Sequence, residues 1–209
     1  MALKLDALTQ RQLQKREEIL SAAADLFFTE GYGRTSMDQI HARVGGSKRT
    51  LYSHFPSKDE VFIALIEMVS DRVLKALEPD FDIRDLRETL TIMGRRYLSV
   101  LLSEEGLSLY RNMVAEARHF PDLATAFFDN GPGKASRQLG VLFGELKTEK
   151  ILIVDRPQAA AEQFLGMVRG DIHMAAVLTD VIPEKTELES MCADAVSIFL
   201  RGVKLEITN

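Results

Sequence analysis

An all-α fold of about nine helices is predicted by three features of the sequence. Apolar residues recur at spacings of three and four almost throughout, the period of an amphipathic helix, and no alternating run competes with them. Helix-start signatures of the form Ser/Asp-x-x-Gln/Glu precede several of the apolar runs, and Gly or Pro follows them. No internal repeat or low-complexity tract interrupts the pattern.

The first helix is predicted over residues 9–30. Ile19, Leu20, Ala23, Ala24 and Phe27 make its buried face, and Gly31 follows where a glycine commonly ends a helix. After the turn GYGRT, Ser36-Met37-Asp38-Gln39 reads as a capping box, with Asp38 suited to the helix dipole. This second helix ends near Val44 at Gly45-Gly46. Ser47 caps a third short helix, which reaches Phe55 and is stopped by Pro56. Ser57-Lys58-Asp59-Glu60 is another capping box. It opens a long helix lined by Val61, Leu65, Val69 and Val73 and ended by Pro79.

The fifth helix, over 84–102, puts Leu86, Leu90, Met93, Tyr97 and Val100 on one face. A sixth over 105–118 is closed by His119-Phe120-Pro121. Residues 122–147 read as helix interrupted at Gly131-Pro132-Gly133, by a kink or by a true break. TEKILIVD is the one stretch where a strand could be proposed, but a lone strand has no partner, so it is read as a loop. Asp155-Arg156-Pro157-Gln158 has the form of a D-x-x-Q cap for a helix reaching Leu178, and the last helix runs over 183–201 before Gly202.

Composition narrows the function classes. Hydrophobic residues make up 46% and charged residues 27%, ordinary values for a globular chain, and 209 residues can bury a sizeable core. No apolar run approaches the roughly 18 residues of a membrane span, and the opening residues lack the apolar centre of a signal peptide. The single cysteine, Cys192, cannot form an intrachain disulfide and fits a reducing compartment, so a cytoplasmic protein is expected. His41, His54, His119 and His173 show no H-x-x-x-H spacing, and one cysteine cannot build a zinc cluster. GYG and GPG match no phosphate-binding loop. No catalytic residue, cofactor or metal is therefore expected, and the chain is not read as an enzyme.

The formal net charge of −5 hides an asymmetry. Residues 1–56 carry +2 and the remainder −7, a division common in proteins that present one end to a polyanion. The two short helices joined at 44–46 have the dimensions of a helix-turn-helix. In that motif the second helix enters the major groove with its N-terminal residues on the base edges. Ser47, Lys48, Arg49 and Thr50 occupy that end, and their donors suit base edges. Tyr52, His54 and Lys58 suit phosphate oxygens, while Leu51 and Phe55, four apart, would face inward.

The stretch REEILSAAADLFFTEGYGRTSMDQIHARVGGSKRTLYSHFPSKDEVFIALIE resembles the DNA-binding domain of the tetracycline-repressor (TetR) family of bacterial transcription regulators. The most specific part is S-K-x-T-L-Y-x-H-F-x-S-K-x-E. The resemblance implies that Thr35 and Ser36 meet phosphates at the start of the second helix. It implies the same for Tyr52, His54 and Lys58, with Lys48, Arg49 and Thr50 nearest the bases. Val44, Gly46 and Arg49 depart from the residues usual at those positions. The chain is divided into a helix-turn-helix DNA-binding domain over 1–56 and a helical effector-binding and dimerisation domain over 57–209, and the resemblance implies that residues after about 75 dimerise and bind a small inducer. Such a chain would act as a homodimer on a palindromic double-stranded operator and would be released by a small effector.

Later segments allow both roles. RNMVAEARHFPDLATAFFDNGP and DRPQAAAEQFLGMVRGD resemble the C-terminal domain of the AefR-like subgroup. For a dimer seam, Gly166 and Gly170 would permit close approach, with Phe164, Val168, Ala175, Leu188, Ala195, Ile198 and Phe199 filling it. For an apolar or amphipathic effector, Met93, Tyr97, Tyr110, Met113, Phe127, Met167 and Met174 are candidates, with Phe120, Phe128 and Phe143 beside them. Glu116, Arg118, Arg169 and His173 are the polar candidates. The other readings are an activator of the same fold and a DNA-silent helical protein that binds small molecules.

Overall fold

A helix in water is held mainly by packing its apolar stripe, so each predicted stripe should lie against another. The computed structural model describes residues 2–79 and 85–203, the side chains of 2–9 excepted. Among these residues there are eleven helices and no strand. They are α1 (Ala2–Glu30), α2 (Met37–Val44), α3 (Lys48–His54), α4 (Lys58–Ala76), α5 (Leu86–Leu101) and α6 (Glu104–Glu116), then α7 (Pro121–Asn130), α8 (Pro132–Thr148), α9 (Pro157–Arg169), α10 (Ile172–Thr179) and α11 (Lys185–Val203). Residue 84, the predicted start of the fifth helix, lies outside the described residues; Asp85 caps α5 by accepting from Glu88 N at 3.0 Å.

The two helices beyond the expected nine come from glycine breaks. Gly131 is the N-cap of α8 with Pro132 just inside it, so the GPG stretch is a true break. Gly170, at φ 47°, ends α9, so the helix expected to reach Leu178 is two helices. The expected D-x-x-Q cap is also corrected. Arg156 is the N-cap of α9 and makes no side-chain cap bond, while Gln158 Nε2 donates to Glu162 Oε1 at 2.9 Å.

The chain divides into two compact units. The first joins the residues up to Met68 with Arg111–Phe127. Its buried side chains come from the predicted stripes: Ile19, Ala23 and Phe27 of α1, Ile40 of α2, Leu51 of α3 with the following Phe55, and Val61 and Phe62 of α4. Phe27, Tyr32 and Phe62 meet with centroids 5.0–5.5 Å apart, and Phe120 stands edge-on to Tyr32 at 4.8 Å. Each such ring contributes roughly 1.5–3 kcal/mol by leaving water.

The second unit, Val69–Tyr110 with the residues from Phe128 on, has one continuous core. α8 packs on α9, and α11 packs on α5 and α9. Phe143, Phe164 and Phe199 form its aromatic centre, with centroids 5.1–6.1 Å apart. Gly94 lets three helices close up: a Cβ there would stand 2.7 Å from Cys192 Sγ and 3.3 Å from Val168 Cγ2. The loop 149–156 is held inward by Leu152 and Val154, both buried, and by Ile151 N and Leu152 N donating to Leu146 O.

Candidate nucleic-acid interface

The turn before α2 sets the geometry of the site. Thr35 is 2% exposed, and its Oγ1 donates to Gly31 O at 2.9 Å, so its hydroxyl closes the turn from within. Ser36 then caps α2 as its sequence predicts. Its Oγ accepts from Gln39 N at 3.3 Å, and Gln39 Oε1 accepts from Ser36 N at 2.8 Å. Gln39 Nε2 donates in turn to Glu30 Oε2 at 3.0 Å, tying the start of α2 to the end of α1.

Gly45 and Gly46 make the turn between α2 and α3, at φ 71° and 83°. A side chain at these angles is strained, which is the physical reason this chain carries glycine at position 46. His41 Nε2 is 3.0 Å from Gly46 O and braces the turn from α2. Ser47 caps α3, its Oγ accepting from Thr50 N at 3.1 Å, and the two hydroxyls stand 2.8 Å apart. α3 is held to the body by Leu51 and Phe55, both 3% exposed, and by Arg16, whose guanidinium lies 5.0 Å above the Phe55 ring.

The opposite face of α3 is open. Ser47, Lys48, Arg49 and Tyr52 are exposed, and Thr50 and His54 are half-buried. Lys48 Nζ pairs with Asp38 Oδ1 at 2.7 Å. The hydrogen bond holds the Asp38 carboxyl below its usual range and the Lys48 ammonium above its own.

Lys58 is engaged within the first unit. Its Nζ donates to Tyr32 O at 2.8 Å and lies 4.1 Å over the Tyr32 ring and 5.8 Å from the Phe120 centroid. Burial lowers the Lys58 pKa, opposed by the Asp59 and Glu116 carboxylates. Tyr32 donates its hydroxyl to Asp59, and burial together with that bond raises the phenol's pKa. Glu116 Oε1 accepts from Gly33 N at 2.9 Å. Glu116 and Phe120, expected among the effector contacts, thus brace the turn before α2 instead. Sequence separation hid this: eighty-three positions part Gly33 from Glu116.

In the second unit, Met93 and Tyr97 of the expected effector set are buried in the core, while Met167 and Met174 are exposed. Tyr110 is half-buried and meets the His173 ring edge-on at 4.6 Å. Met113 and Phe127 belong to the first unit. A cleft of about 480 Å³ between α5 and α11 is lined by Ile92, Leu98, Leu188, Arg95 and Lys185, among others, and by none of those seven. Of the nine residues suggested for a seam, Phe164, Val168, Ala195 and Phe199 fill the protomer's own core. Gly166, Gly170, Ala175 and Ile198 are exposed, and Leu188 is half-buried.

A helix-turn-helix presenting cations and hydroxyls on a helical body defines a DNA-binding transcriptional regulator. The description "Bacterial regulatory proteins, tetR family" matches residues 19–65, and "AefR-like transcriptional repressor, C-terminal domain" matches residues 88–202. The chain belongs to the tetR family of bacterial regulatory proteins. It is 30% identical to the nucleoid occlusion factor SlmA of Yersinia enterocolitica over 190 residues, covering 90% of this chain and 84% of that one. The solved Flavonoid-responsive Regulator FrrA matches with a TM-score of 0.79 and 30% identity, over 92% of this chain and 98% of that one. A TetR-family transcriptional regulator from Mesorhizobium loti matches with a TM-score of 0.77 and 27% identity, over 93% and 99%. Family members bind double-stranded DNA, typically as dimers responding to small molecules, and are not enzymes. No described helix is long and apolar enough to cross a membrane, and no described group of His, Cys, Asp and Glu could hold a metal ion.

Proposed function

We propose that this chain is a ligand-responsive repressor that binds a palindromic operator as a homodimer and is released by a small apolar or amphipathic effector. The observation that carries the reading is the split of α3: Leu51 and the following Phe55 are buried, while Ser47, Lys48, Arg49 and Tyr52 face out. We assign base reading to Ser47, Lys48, Arg49 and Thr50, and phosphate contact to Ser36, Tyr52 and His54. Thr35 and Lys58 support that surface from within. In this reading residues 1–56 meet DNA and residues 57–209 dimerise and take the effector, and a DNA partner puts the chain in the cytoplasm.

For the seam we favour the exposed Gly166, Gly170, Ala175 and Ile198, backed from inside by Phe164, Val168, Ala195 and Phe199. Met167, Met174 and Leu178, also exposed, add apolar surface on α9 and α10. For effector contact we favour Met93, Tyr97 and Tyr110. The name of the flavonoid-responsive relative makes flavonoids the first class to screen. An effector acts only through its different affinity for the DNA-competent and released states, so it must shift α4, which passes from one unit to the other.

The test is fluorescence anisotropy on duplexes from upstream of the chain's own gene, with and without a flavonoid panel. Salt-dependent binding that an effector weakens supports the proposal, and failure to bind any duplex sinks it. A second reading is a nucleoid occlusion factor, as the SlmA relatives are named, and DNA binding that no panel member alters favours it.

A further inference from the structure

Lys48 opens α3 and Asp38 lies in the first turn of α2, yet their charged atoms stand 2.7 Å apart. Both ends of this pair are held by caps. The Ser36–Gln39 capping box fixes the turn carrying Asp38, and Ser47 with Thr50 fixes the turn carrying Lys48. The side chains are 69% and 59% exposed, a setting in which an ion pair contributes little to stability. Its consequence therefore lies in where the charge of Lys48 goes. Arg49, the next residue, is exposed and has no ion pair among the described residues.

Sequence-independent affinity for DNA comes from cations that neutralise phosphates and release counterions. A lysine already neutralised by a carboxylate releases fewer. Reading of base edges by Arg49 and the hydroxyls of Ser47 and Thr50 is affected less, because hydrogen-bond geometry rather than net charge decides it. We propose that Asp38 is a positioning residue that sets DNA specificity by keeping the Lys48 ammonium for the base edges and withholding it from phosphates. This inference rests on the DNA-binding reading above. The effect of Asp38 is to lower affinity for arbitrary sequence more than affinity for the correct site, raising the ratio between them.

The experiment measures binding of the full chain to a random-sequence duplex and to a duplex selected in vitro by the wild-type chain, across a salt series. Asp38→Asn should raise affinity for random sequence several-fold and narrow the selected-to-random ratio. It should also steepen the slope of log K against log salt by about 0.9 per subunit, the signature of one more phosphate neutralised. Asp38→Glu should restore the wild-type slope. In a Lys48→Gln background, Asp38→Asn should leave the slope unchanged. An unchanged slope in the single variant, or an equal change in the Lys48→Gln background, overturns the inference. If the wild type binds neither duplex, the DNA-binding reading fails and the inference with it.

Discussion

The Lys58 ammonium lies 4.1 Å above the ring of Tyr32 and donates to the carbonyl of that same residue at 2.8 Å. One cation thereby holds the turn before α2 against the start of α4. A face-on cation contributes about 0.5–1 kcal/mol, and more when desolvated. Lys58→Met, which keeps the stem and removes the charge, should lower stability by about 1 kcal/mol in urea denaturation. Its DNA salt slope should fall by much less than the roughly 0.9 expected for losing a phosphate contact.

Gly46 has φ 83° and nothing within 4 Å of where a Cβ would stand. Its requirement for glycine is thus conformational and not steric. Gly46→Ala should fold and lose about 1–2 kcal/mol, read as a shift of the urea midpoint at constant m. An alanine variant as stable as the wild type would show that the turn adopts another conformation.

At Gly94 the constraint is steric. A Cβ there would stand 2.7 Å from Cys192 Sγ, so Gly94→Ala should cost about 1–3 kcal/mol. Adding Cys192→Ala removes the opposing sulfur, and the double variant should be more stable than the two single losses summed. Strict additivity in the four-protein cycle would mean that the contact is not made.

Cys192 is fully buried, and burial raises its thiol from about 9 to about 11. Above about pH 9 the unfolded chain loses this proton while the folded chain keeps it, so the unfolded state is favoured increasingly. The stability this thiol contributes is present below about pH 9 and is lost as pH rises to about 11. Wild type should lose stability across that window relative to Cys192→Ala. Thiol reagents should label the native protein slowly at pH 8 and rapidly once it is unfolded.

Much of the fold was legible from local chemistry. The Ser36–Gln39 box, the Ser47 cap, the stop at Pro56 and the inward Leu51 and Phe55 all follow from signals within a few positions of the residue concerned. The two helix breaks beyond the expected nine helices lie at Gly131 and Gly170, where a glycine inside an apolar pattern is compatible with either continuity or a cap. The false cap at Asp155 failed because Pro157 already supplies the preferred first helical residue, which shifts the N-cap to Arg156.

By itself the sequence determined the helical class, the helix-turn-helix and the division of α3 into an inward and an outward face, because these depend on period and on neighbouring caps. The tertiary structure decided which polar groups remain available to a partner. Thr35, Lys58 and Glu116 carry groups suited to DNA or to an effector, but each hydrogen-bonds within the first unit. The tertiary structure also joined Asp38 to Lys48 and sent four of the nine suggested seam residues into the protomer's own core. The physical reason is the same in each case. A polar or apolar side chain is satisfied by whatever the fold brings beside it, and those neighbours are set by packing between helices distant in sequence.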